Sequence, residues 1–144
     1  MKKLSIYLLL LASLNSISAK PNRVDELDRV FIYLNGKLVG TWRADEGQVV
    51  HIDKIADGDT LVFRARTDLG GLGNSSIDVK DDSGVPVENI QSPSSTENEA
   101  TFIYVFRSAK IDFTKVMSLQ VFLNVDPARN LPPPNVASIL FTKR

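Results

Sequence analysis

The run RVFIYLNGKLVGTWR, from Arg29 to Arg43, holds two short β-prone segments joined by Asn35-Gly36. β-branched and aromatic residues suit a pleated, half-buried surface, and Asn-Gly supplies the positive φ angles of a tight hairpin turn. The run reads as a β-hairpin. Its register follows from how the apolar residues sort, because a one-residue slip moves every side chain to the opposite face. A two-residue loop pairs Leu34 with Lys37 and leaves both faces largely apolar. A three-residue loop with Gly36 in a bulge pairs Tyr33 with Lys37 and Ile32 with Leu38. Val30, Ile32, Leu38, Gly40 and Trp42 then share an apolar face, and Arg29, Phe31, Tyr33, Lys37, Val39, Thr41 and Arg43 a mixed one. The cleaner sorting favours the three-residue loop.

Working outward, the same grammar repeats. Strands are expected at Arg29–Leu34, Lys37–Arg43, Gln48–Ile52, Thr60–Arg66, Ser76–Lys80, Val85–Asn89, Thr101–Arg107, Val116–Val125 and Val136–Thr142. Asp45-Glu46-Gly47, Asp57-Gly58-Asp59 and Asp81-Asp82-Ser83-Gly84 mark turns between them. Leu61, Phe63 and Ala65 alternate with Thr60, Val62, Arg64 and Arg66, and Leu119, Val121 and Leu123 alternate with Ser118, Gln120 and Phe122. One buried and one wet face per strand is the pattern of an antiparallel β-sandwich, immunoglobulin-like or jelly-roll with Greek-key connections, of eight or nine strands. The strand from Thr101 is apolar on both sides, which predicts a central strand or one whose outer side is covered. Gln91–Ala100 reads as a polar loop. The Pro-rich stretch Asp126–Asn135 reads as a stiff crossover of the kind a Greek-key return uses. One turn of helix is expected at Arg23–Asp28.

The first nineteen residues read as a secretory leader. Lys2 and Lys3 precede an apolar run from Leu4 to Leu14, and small residues at Ser16, Ser18 and Ala19 place cleavage after Ala19. The run is shorter than a membrane span, which needs about 20 residues. Residues 20–144 then form one domain, periplasmic or extracellular, with no stable membrane span after cleavage. The whole chain has 17 basic and 17 acidic residues, and loss of Lys2 and Lys3 leaves 15 against 17. A slightly acidic chain lacks the basic surplus that nucleic-acid binding requires. With no Cys and one His, thiolate metal sites, disulfides, thiol catalysis and blue-copper ligation are excluded.

No catalytic constellation stands out. His51 has no Gly-x-Ser-x-Gly elbow to serve, and its strand alternation points it to the wet face. Asp53, Asp57 and Asp59 crowd one turn and raise the question of calcium, but they lack the spacing of an EF-hand loop. No cofactor is expected. Two surfaces remain as candidates for recognition. One is the Gly-rich segment Leu69, Gly70, Gly71, Leu72, Gly73 and Asn74, which precedes a strand rather than a helix. It therefore reads as a binding loop at one end of the sandwich, or as a wide connection between two sheets. The other is the mixed hairpin face, where Arg29, Phe31, Tyr33 and Arg43, with Arg64 or Arg66 nearby, offer aromatic and cationic groups to a protein or a glycan.

The Asn35-Gly36 hairpin and the phrase Gly-Asp-Thr-Leu-Val-Phe at Gly58–Phe63, behind a leader, resemble exported bacterial immunoglobulin-like or jelly-roll modules in general. The resemblance implies a fold class and no site residues. The expected function is an exported, non-enzymatic binding module for a protein or glycan partner. The alternatives are a small hydrolase or calcium-dependent module built on the Asp53–Asp59 turn, and a structural subunit that assembles through its sheet edges.

Overall fold

A computed structural model describes residues 29–43, 48–68, 70–112, 115–125 and 133–141. The leader, the turn at Arg23–Asp28 and Leu69 lie outside the described residues. Ten strands follow in chain order: β1 Arg29–Leu34, β2 Lys37–Trp42, β3 Val49–Ile52, β4 Thr60–Arg66, β5 Ser76–Asp81, β6 Pro86–Gln91, β7 Ser94–Ser95, β8 Glu99–Val105, β9 Ser118–Asn124 and β10 Asn135–Phe141. They form two five-stranded sheets, β2-β1-β4-β8-β7 and β3-β10-β9-β5-β6, packed as a β-sandwich. No helix among the described residues is long and apolar enough to cross a membrane.

Alternation fills the space between the sheets. Val30, Ile32, Trp42, Leu61, Phe63, Phe102 and Tyr104 point inward from the first sheet and meet Val50, Ile77, Val79, Leu119, Val121, Leu123 and Ile139 from the second. Phe106, just past β8, closes one end, edge-on to Tyr104 at 5.2 Å and to Phe141 at 6.0 Å between ring centroids.

The first hairpin departs from the expected register. Asn35 (φ 48°) and Gly36 (φ 82°) form a two-residue turn, so Leu34 pairs with Lys37 and Tyr33 with Leu38. The bulge lies further on, where Ile32 pairs with Gly40 and Val39 is the extra residue. The extra residue restores Val30, Ile32 and Trp42 to the core, but it comes after Leu38. Leu38 therefore lies on the outer face beside Tyr33, 51% exposed, instead of in the core.

Three other expectations change. β3 runs parallel to β10, so the sandwich is not wholly antiparallel. The Pro-rich connection joins β9 and β10, which are hydrogen-bonded neighbours, so it makes no Greek-key return. The polar stretch after Gln91 contains β7, which pairs with Ala100 and Thr101 only. β8 is thus next to the sheet edge and its outer side is open, with Ile103 44% exposed.

Candidate functional site

The outer face of the first sheet gathers the predicted hairpin residues. Cross-strand pairing builds it in rows. Leu38, Tyr33, Val62 and Ile103 stand side by side on β2, β1, β4 and β8. The next row is Thr41, Phe31, Arg64 and Thr101, and beyond it Arg29, Arg66 and Glu99. Arg43 follows Trp42, the partner of Val30, and so stands at the Arg29 end of the sheet. The face therefore grades from an apolar row to a cationic one. Tyr33, Phe31 and Val62 are half-buried, and Arg29, Arg43, Arg64 and Arg66 are exposed.

Two contacts involve Arg64 and Arg66. The Arg64 guanidinium lies over the Tyr33 ring, 5.2 Å from its centroid, a cation–π geometry. Arg66 Nε lies 3.7 Å from Glu99 Oε1, an exposed ion pair that contributes little to stability. Leu38 and Ile103 escaped the sequence reading, because alternation alone cannot locate a bulge or show which strand stands next to an edge. Val62 and Arg64 lie on the wet face that their alternation with Leu61, Phe63 and Ala65 predicts.

The Gly-rich segment lies elsewhere. It leaves β4 past Arg66 and crosses to β5 in the other sheet. Gly70 and Gly71 have φ of 76° and 94°, which a side chain would disfavour. The Gly71 N–H donates to Glu97 Oε2 at 3.1 Å, the Leu72 N–H to the Glu97 carbonyl at 3.0 Å, and the Ser95 hydroxyl to the Gly73 carbonyl at 2.7 Å. Leu72 is fully buried. It is therefore withdrawn from the candidate surface: its side chain plugs the end of the core, and a buried leucine meets no partner. Gly70, Gly71 and Gly73 are half-buried and Asn74 is exposed, so this segment does not join the aromatic face.

The acidic turn is occupied by its own backbone. Asp59 accepts from the Ala56 N–H at 2.7 Å and from Asn35 Nδ2 at 2.9 Å, and Asp57 accepts from the Ser108 N–H at 2.6 Å. These hydrogen bonds favour the ionised form. The bond from Ala56, then that from Asn35, holds the Asp59 carboxyl below its ordinary value, and the bonds from Ser108 do the same for Asp57. Both carboxylates brace turns. Among the described residues no group of three or more His, Asp or Glu side chains is placed to hold a metal ion. His51 is exposed on β3, an edge strand, as its alternation predicts.

No family model and no curated protein matches the chain. Among solved structures it is similar to CopC from Methylosinus trichosporium OB3b, at 12% sequence identity over 80% of this chain and 97% of that one, with a TM-score of 0.42.

Proposed function

We propose that the protein is an exported, non-enzymatic binding module that recognises a protein partner through the outer face of its first sheet. Export rests on the leader read at residues 1–19. The observation that carries the recognition is the apolar row Leu38–Tyr33–Val62–Ile103, which crosses four strands and ends in side chains 51% and 44% exposed. Large apolar groups in one contiguous row gain about 25 cal/mol per Å² when a partner removes them from water. A central tyrosine stacked by an arginine is the composition of an interface hot spot. Arg29, Arg43, Arg64 and Arg66 on one flank call for a partner whose rim is acidic.

Site-specific photo-crosslinking from position 38 in cells tests the reading. One partner protein is expected to be captured, and the double substitution Leu38→Asp, Ile103→Asp is expected to abolish capture while the melting temperature stays within a few degrees. Capture that survives the double substitution in a folded protein sinks the proposal. So does light scattering that shows a dimer lost with the same substitutions, since a second copy would then be the occupant.

A further inference from the structure

The outer face of the second sheet has a different chemistry, dominated by side-chain amides held in fixed directions. Three rows cross it: Gln91, Ser76 and Asn124; then Asn89, Asp78, Phe122 and Asn135; then Lys80, Gln120 and Ser138. The Asp78 carboxylate sits between two amides from neighbouring strands. Asn89 Nδ2 donates to its Oδ1 at 2.6 Å and Asn124 Nδ2 to its Oδ2 at 2.8 Å. Gln91 Nε2 donates to Asn89 Oδ1 at 3.1 Å. On the other side of Phe122, the Gln120 Oε1 accepts from Asn135 Nδ2 at 2.7 Å and from the Ser138 hydroxyl at 2.8 Å. Phe122 is the one aromatic ring in these rows, half-buried, with Lys80 Nζ 4.9 Å from its centroid.

We infer that this face is a binding platform for a neutral oligosaccharide, seated on Phe122 with its hydroxyls on Asp78, Asn89 and Asn124. A sugar hydroxyl both donates and accepts, so it is matched by groups that do the same in fixed directions. Asp78 uses two of its roughly four acceptor directions on Asn89 and Asn124. Gln91 is exposed at the β6 end of the rows, where its side chain can meet a ligand hydroxyl. The C–H face of a pyranose fits an aromatic ring, and Lys80, a long side chain half-buried beside that ring, can swing from it to an adjacent hydroxyl. One carboxylate and one ammonium in the centre nearly cancel, which disfavours polyanions. The polar groups of β5, β6 and β9 surround a single ring, and the third row ends beyond Ser138 on the exposed Val49 of β3, at the sheet edge. Four strands at about 4.8 Å spacing give a platform about 14 Å wide, room for a short chain of sugars. Because the amides are already held by each other and by Asp78, little side-chain entropy is lost on binding. The platform is separate from the face assigned to a protein partner, and either assignment can fail alone.

The test is a glycan array carrying neutral and anionic oligosaccharides, probed with the full chain, followed by titration of the best neutral oligosaccharide into the ¹⁵N-labelled protein. The expected result is selective binding of neutral glycans, with the side-chain amide signals of Asn89, Asn124 and Gln91 shifting on titration. Asp78→Ala and Phe122→Leu are expected to weaken binding at least tenfold, and Leu38→Asp is expected to leave it unchanged. Phe122→Leu keeps the apolar packing and removes the ring, so it reports on recognition even where Asp78→Ala fails to fold. A blank array, binding confined to anionic glycans, or amide signals that do not move would overturn the inference.

Discussion

Gly40 on β2 faces Val50 on β3 so closely that a Cβ on the glycine would stand 2.9 Å from Val50 Cγ2 and 3.3 Å from the Gln48 side chain. This is where the chain passes from one sheet to the other, and Val50 is a buried core residue. Glycine is required here by close approach. Gly40→Ala is expected to destabilise the fold by about 1–3 kcal/mol, the usual range for overpacking. Adding Val50→Ala should return part of the loss, so that a urea-melt double-mutant cycle shows coupling between the two positions. Strict additivity would mean that the two do not touch.

The bulge at Val39 makes a second expectation sharp. With Leu38 outside and Val30 inside, Leu38→Ala should change stability by less than about 1 kcal/mol, whereas Val30→Ala should cost roughly 2 kcal/mol or more. A three-residue loop would put Leu38 in the core and equalise the two losses. Parallel denaturant melts of the two variants decide between the registers.

The hairpin turn is tied to the acidic turn by a reciprocal pair of bonds: Asn35 Nδ2 donates to Asp59 Oδ1, and Thr60 N–H donates to Asn35 Oδ1, both at 2.9 Å. The Asp59 carboxyl is held below its ordinary value of 3.8 by the Ala56 N–H and then by Asn35. A carboxyl depressed in the folded state contributes stability above its unfolded value and loses it as the pH falls through the folded value. Stability should therefore decline from about pH 4 downward, and Asp59→Asn should flatten that decline. Unfolding free energies of both proteins between about pH 6 and pH 2 check the sign.

Most strand positions were legible in the sequence, because one wet and one buried face leaves a period-two trace in Leu61–Phe63–Ala65 and Leu119–Val121–Leu123. What escaped was local or non-periodic. β7 is two serines with no apolar mark, detectable only through Ala100 and Thr101 opposite them. Phe106 continues the alternation of β8 and reads as strand, yet it leaves the ladder where its carbonyl accepts from the Gly58 N–H. The outer amide rows are invisible in one dimension, since Asp78, Asn89 and Asn124 meet only when β6, β5 and β9 align. Of the predicted hairpin surface, Arg29, Phe31, Tyr33 and Arg43 do share a face. Their apolar neighbours Val62 and Ile103 come from strands that sequence cannot order.

Leu72 is a single apolar residue in a run of glycines, with no periodicity to announce that it is core. Its full burial predicts that Leu72→Ala costs about 2–5 kcal/mol, as for other buried leucines. Glu97→Ala should act differently. It removes the acceptor of the Gly71 N–H and should speed hydrogen exchange at Gly71 with a smaller change in global stability. If Leu72→Ala melts like the parent protein, the segment is a surface loop.

Among the described residues Tyr104 is the largest fully buried side chain, and its hydroxyl has no hydrogen-bond partner. An orphaned buried hydroxyl carries a desolvation penalty of about 1–3 kcal/mol, so Tyr104→Phe should leave stability unchanged or raise it at neutral pH. Burial, and secondarily the negative charge of Glu88, pushes the phenol up to about 12 from its ordinary 10.0. Between those values the unfolded chain has released this proton and the folded chain has kept it. Stability contributed by the neutral phenol is thus fully present below 10 and is lost as the pH rises toward 12. The difference in unfolding free energy between Tyr104→Phe and the parent should therefore widen in favour of phenylalanine across that interval, by an amount on the order of 2 kcal/mol. Tyr33 is common to both proteins and cancels in the comparison. A gap that stays constant from pH 8 to about 12 would mean that the phenol ionises as readily in the folded protein as in the unfolded one.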